Sequence, residues 1–214
     1  MPTIRKLAAL SAAVVVNALL LALPAVVTLR ADVFADPRFW LLLILASGLL
    51  VLEGRTSCDT GRYQPITRRD TLAHRLALAA SVGLLGIYWL GVVCAGPVSW
   101  WLVLTGAVMF IAGSLLRGAS IQQLGDHFRS DFTVPVHHRL VRDGVYRYLR
   151  HPSETGLLLV GLGAAVMFGS TVSLTLCLCI LAPLTLLRIA LEEQSLLEAF
   201  GEEYRAYRRN TGGL

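Results

Sequence analysis

Of the 214 residues, 55% are hydrophobic and 15% are charged, against roughly 25% charged in an ordinary soluble domain. With a mean hydropathy of +0.64, that balance excludes a water-soluble globular fold. The net charge of +5 would suit nucleic acid if the basic residues were gathered in a polar domain, but they lie beside apolar runs, where the positive-inside bias puts them. The apolar runs approach the roughly 17–25 residues of a crossing, so the expected fold is all-α: a polytopic membrane helical bundle of about 5–6 transmembrane helices.

The first apolar run, residues 7–29, follows Arg5 and Lys6. It outlasts the roughly 7–15 apolar residues of a secretory leader and reads as an uncleaved span. A link carrying Arg30, Asp32, Asp36 and Arg38 leads to residues 39–52, short for a crossing unless flanking residues complete it. Residues 53–75 form a polar loop whose arginines (55, 62, 68, 69 and 75) outnumber its acids, which marks the cytoplasmic side. Spans at 76–95 and 98–116 are joined by the uncharged turn Gly96-Pro97 on the far side. Cys58, Cys94, Cys177 and Cys179 lack metal-ligand spacing and read as small buried hydrophobes.

After Arg117 comes a polar connector with His127, His137, His138, Arg139, Arg142, Arg147, Arg150 and His151. A glycine-punctuated run at 155–168 and a longer one at 171–189 follow, joined at Gly169-Ser170 as a helical hairpin. Gly156, Gly161 and Gly163 permit close helix approach. Residues 192–209 repeat apolar positions at helical spacing among charges and predict an amphipathic cytoplasmic helix. Six crossings with both termini cytoplasmic put every arginine-rich loop except the 30–38 link on one side.

Two features carry chemistry. Arg188 and Glu192 share one helix face at the end of the last span, and two readings fit: an inward functional pair, or an arginine snorkelling to the headgroups with its glutamate. His151-Pro152 opens a helix, with Ser153 and Glu154 in its first turn. Its N-terminus among arginines suits an anion, and the arginines equally suit lipid headgroups. No histidine shows metal-ligand spacing, so no metal is expected.

The ordered set HRLVRDGVYRYLRHPSETG at 138–156 and RIALEEQSLLEAFGEEYRAY at 188–207 resembles the isoprenylcysteine carboxyl methyltransferase family. The resemblance covers about the last 90 residues. It implies a membrane methyltransferase that uses S-adenosyl-L-methionine, with one domain over 1–214: N-terminal spans in 1–116 and a catalytic half in 117–214. By matching position, His138, Arg139, Leu140, Val141 and Tyr146 line the cofactor, and His151, Pro152, Ser153 and Glu154 close the pocket. Arg188 contacts the substrate, Glu192 the cofactor, and the two form the catalytic pair. Where the family commonly has tyrosine after RHPS, this chain has Glu154.

The expected reaction is methyl transfer to the carboxylate of a lipophilic, isoprenylcysteine-like substrate at the cytoplasmic boundary. Partners are that lipophilic or prenylated substrate and membrane lipid, without nucleic acid. A carboxylate is ionised at neutral pH and needs no general base. A phospholipid or small-lipid amine N-methyltransferase is the alternative, and a non-enzymatic scaffold or transporter subunit the third.

Overall fold

The computed structural model describes residues 2–56, 68–124 and 140–214. His127, His137, His138, Arg139 and Cys58 lie outside them. Among the described residues the chain is helical without strands: α1 (Pro2–Val27), α2 (Pro37–Thr56), α3 (Arg68–Val93), α4 (Trp100–Leu124), α5 (Pro152–Phe168), α6 (Thr171–Leu176), α7 (Ala182–Phe200) and α8 (Glu202–Asn210). A single π turn, Cys177–Leu181, joins α6 to α7, so Thr171–Phe200 runs as one long helix. Five helices are long and apolar enough to cross a membrane, and α5 is a shorter apolar sixth of 17 residues. The molecule is a polytopic helical bundle.

The boundaries have local causes. The run at 39–52 is extended by its flanks into the 20 residues of α2, long enough to cross at 1.5 Å per residue. Proline at N1 starts α5, and Gly169, at φ 57°, ends it with its N–H returned to Ala165 and Val166 carbonyls. Ser170 then caps α6 by accepting from the Ser173 N–H at 3.2 Å. The expected amphipathic helix over 192–209 is corrected. The last long helix continues through Phe200, Gly201 breaks it at φ 52°, and α8 is a separate helix.

Packing is tightest between α4 and α5. A Cβ on Gly106 would meet the Gly163 carbonyl at 2.5 Å, and one on Gly113 would meet that of Gly156 at 2.6 Å; the reverse contacts are both 2.6 Å. These four glycines pair the helices antiparallel, since Gly106 faces Gly163 while Gly113 faces Gly156. The close approach carries Arg117 of α4 to the start of α5. Phe110, Val160, Met167, Phe168 and Leu181 fill the core, while Val82, Val108, Leu115 and Leu178 are exposed, as lipid-facing residues are. The cysteines divide. Cys177 is buried, but Cys94 and Cys179 are exposed, because their positions fall on the outer surface.

Charged residues gather at the two ends. At one, Arg38 binds Asp36 at 2.6 Å and donates to the Gly96 carbonyl at 2.9 Å, tying the α1–α2 link to the α3–α4 turn. At the other, the ends of α2 and α4 and the middle of α7 meet the start of α5.

Candidate active site

The connector reaches the bundle through a small core of its own. Leu140 is buried with Tyr204 and Tyr207 of α8, and Leu196, Leu197 and Phe200 pack against them. The Tyr207 hydroxyl donates to the Tyr146 carbonyl at 2.5 Å, and burial pushes that phenol up to about 12. Tyr146 is itself buried on a 3-10 turn, Gly144–Arg147, with its hydroxyl 3.5 Å from the Ser120 carbonyl. Gln123 of α4 braces this turn, donating to the Asp143 carbonyl and accepting from the Val145 N–H.

Beyond the turn the chain enters α5. His151, Pro152, Ser153 and Glu154 are all buried. The His151 ring lies between two acids of α7, with Nδ1 3.4 Å from Glu192 and Nε2 3.4 Å from Glu193. Burial is the largest single influence on this imidazole and works against protonation. The hydrogen bonds and charges of Glu192 and Glu193 together outweigh it and raise the pKa above 6.5. Glu193 also meets Arg150 at 2.8 Å and Arg208 at 3.6 Å, so one carboxylate ties the connector, α7 and α8 together.

Glu154 points inward. Its Oε1 lies 3.3 Å from Arg188 Nη1, with side chains 7% and 13% exposed. On the other side, Arg117 of α4 donates to Ser153 Oγ at 2.8 Å and to Glu53 of α2 at 2.5 Å. Glu192 is more open, with 40% of its side chain exposed.

The structure therefore brings Glu154 to Arg188 and His151 to Glu192 at one end of the bundle, with Tyr146 alongside. Glu192 and burial both act on the Tyr146 phenol, burial the more strongly, and both raise its pKa. Leu140 instead belongs to the α8 core and Val141 is half-buried beside it. Three participants escaped sequence reasoning: Arg117, Glu53 and Glu193. The repeated spacing Gly106-Gly113 and Gly156-Gly163 was the readable signal that α4, and so Arg117, lies against the start of α5. Among the described residues, no cluster of three His, Cys, Asp or Glu side chains could hold a metal ion. The arrangement offers an open acid for a cation, a buried guanidinium for an anion, and fixed positions for both.

Comparison with known proteins agrees with this half of the chain. Residues 105–198 match the model of the isoprenylcysteine carboxyl methyltransferase (ICMT) family. The chain is 36% identical over 110 residues to protein-S-isoprenylcysteine O-methyltransferase A of Arabidopsis thaliana, covering 50% of this chain and 56% of that protein. It is 34% identical over 121 residues to the Homo sapiens protein-S-isoprenylcysteine O-methyltransferase, covering 51% and 39%. The chain thus matches about half the length of the plant relative and less of the human one. A solved structure of the eukaryotic intramembrane Ras methyltransferase ICMT shares the fold, with a TM-score of 0.57 at 20% identity over 91% of this chain and 71% of that one.

Proposed function

From a chain whose residues 105–198 carry the signature of the isoprenylcysteine carboxyl methyltransferase family, we propose an enzyme that methylates the carboxylate of a lipophilic, isoprenylcysteine-like acceptor with S-adenosyl-L-methionine. The observation that carries this reading is the convergence of connector and α7: His151 on Glu192 and Glu154 on Arg188, at 3.4 and 3.3 Å. N-terminal spans in 1–116 support a catalytic half in 117–214, and the site faces the cytoplasm along with both termini.

The donor set fits. Glu192, partly open beside the buried His151 imidazole and near Tyr146, suits the ammonium of the methyl donor, and by family position Pro152 and Ser153 would close the same pocket. The donor supplies a methyl group on a sulfonium sulfur, whose C–S bond breaks as a C–O bond to the acceptor forms, the sulfur keeping the electron pair. The remaining work belongs to the chain. Arg188 holds the acceptor carboxylate through a planar guanidinium that stays charged when buried. Alignment and exclusion of water then lower the barrier, because a carboxylate nucleophile arrives already ionised.

The experiment is transfer of radiolabelled methyl to S-prenylated cysteine by protein in nanodiscs. Arg188→Ala is expected to lower turnover about 100-fold or more, in the range for losing a charged group that acts in the transition state. Binding of S-adenosylhomocysteine should change only a few-fold. Turnover like that of the unchanged protein refutes the assignment of Arg188.

A further inference from the structure

The connector does little to fix its own shape. Between Leu140 and His151 its regular structure is the single 3-10 turn Gly144–Arg147, so much of its backbone depends on partners from elsewhere. α8 and the chain that follows it supply them. The Tyr207 hydroxyl donates to the Tyr146 carbonyl at 2.5 Å, with both residues buried. Leu149 and Gly212 form a parallel bridge, and the Gly212 carbonyl accepts the Arg150 N–H at 2.8 Å. Arg142 also meets Glu203 at 2.5 Å, but both side chains are half exposed and such a pair adds little. We propose that α8 is a clasp that sets the methyl-donor site from behind, with Tyr207 as a positioning residue for S-adenosyl-L-methionine that acts through the Tyr146 carbonyl. The inference rests on the methyl-transfer reading above and gives the last helix a part in it.

The grip falls on a residue of the site. Glu192 acts on the Tyr146 phenol, so the carbonyl that α8 holds and the ring beside the open acid belong to one residue, and a shift of one turns the other. The opposite side of the turn is held by α4, where Gln123 accepts the Val145 N–H at 3.1 Å and donates to the Asp143 carbonyl. Without the Tyr207 hydroxyl the turn keeps only that second support, and a buried carbonyl loses its partner, which is costly enough to move the backbone. The acceptor side is anchored differently. Arg188 is paired with Glu154 of α5, on long helices whose packing does not depend on that hydroxyl. Donor and acceptor should therefore respond unequally to its loss.

The test is Tyr207→Phe in the full chain in nanodiscs, which removes the hydroxyl and keeps the ring against Tyr204. Binding of S-adenosylhomocysteine by calorimetry, and KM for S-adenosyl-L-methionine, are expected to weaken about three- to tenfold, the range for one buried hydrogen bond. KM for S-prenylated cysteine, and kcat at saturating donor, should stay within about twofold. A merely structural hydroxyl gives another pattern, fewer folded molecules and a lower kcat with both KM values unmoved, and that result overturns the inference. Equal weakening of donor and acceptor overturns it as well. Coupling between the clasp and the donor is reciprocal, so S-adenosylhomocysteine should slow amide exchange across α8 of the unchanged protein about threefold or more. That readout stands even where the variant folds poorly, and exchange that ignores the ligand overturns the inference. If Tyr207→Phe weakens S-adenosylhomocysteine but no prenylated cysteine takes methyl, the acceptor reading has failed and the positioning has not. If the protein methylates and the variant leaves donor binding unchanged, the positioning alone has failed.

Discussion

At the scale of single residues, His151 gains more from two carboxylates than it loses by leaving water. Its folded pKa is raised, so the stabilisation is complete below the free value of about 6.5 and disappears as pH climbs through the raised value. Thermal unfolding followed from pH 5.5 to 9 should show a falling midpoint in the unchanged protein and a flatter profile in His151→Gln. Parallel curves would remove the imidazole from the clamp. Losing the charged contacts should cost on the order of 1–3 kcal/mol at low pH. The sequence pointed to His151, Glu154, Arg188 and Glu192, because their motifs are contiguous or one helical turn apart. It did not point to Glu193, which is more buried than Glu192, at 14% against 40% exposed. The row from Arg188 through Glu192 to Leu196 was legible, but which flank of that row meets the connector depends on how α7 is rotated, and no local spacing encodes that.

At the scale of elements, the α4–α5 seam depends on absent side chains. Gly113→Leu would drive a Cβ into the Gly156 carbonyl and the Val160 N–H, at 2.6 and 2.9 Å, contacts that backbone cannot yield cheaply. A loss of about 1–3 kcal/mol or more is expected, seen as a lower yield of folded protein and a lower unfolding midpoint in detergent. Gly48→Ala is the control: nothing lies within 4 Å of its Cβ, and the change should be neutral or stabilise by about 0.5–1 kcal/mol. At Gly201 the reason for glycine is conformational, since φ 52° with ψ −120° is strained for any L side chain. Gly201→Val should loosen α8 and expose the Tyr204–Tyr207 core to protease. The helices themselves were legible from apolar runs, and so was the hairpin at 169–170. The break at Gly201 was not, because the apolar periodicity carries on across it. The Arg117–Glu53 contact was out of reach for another reason: its partners are 64 positions apart, and only assembly of the bundle brings them together.

At the scale of the whole molecule, polar chemistry is divided between two ends. The Arg38 end holds loops in place, with its guanidinium on Asp36 and on the Gly96 carbonyl; the Arg188 end carries the proposed site. A protein retaining only Cys94, exposed near the first end, should react with an impermeant thiol reagent from one face of sealed vesicles. An otherwise cysteine-free Asn210→Cys should react from the opposite face. Labelling of both from one face would overturn the topology. Between these ends lies Cys177–Leu181, where the helix winds one turn too wide. Every side chain beyond it owes its compass bearing to that surplus residue. Excising one residue there to restore regular winding would swing the outer segment by about 100°, aiming Arg188 away from Glu154 and leaving that buried carboxylate without its partner. A deletion that sequence alone would judge harmless, deep in an apolar run and without a charged neighbour, is thus expected to silence the protein from seven residues away.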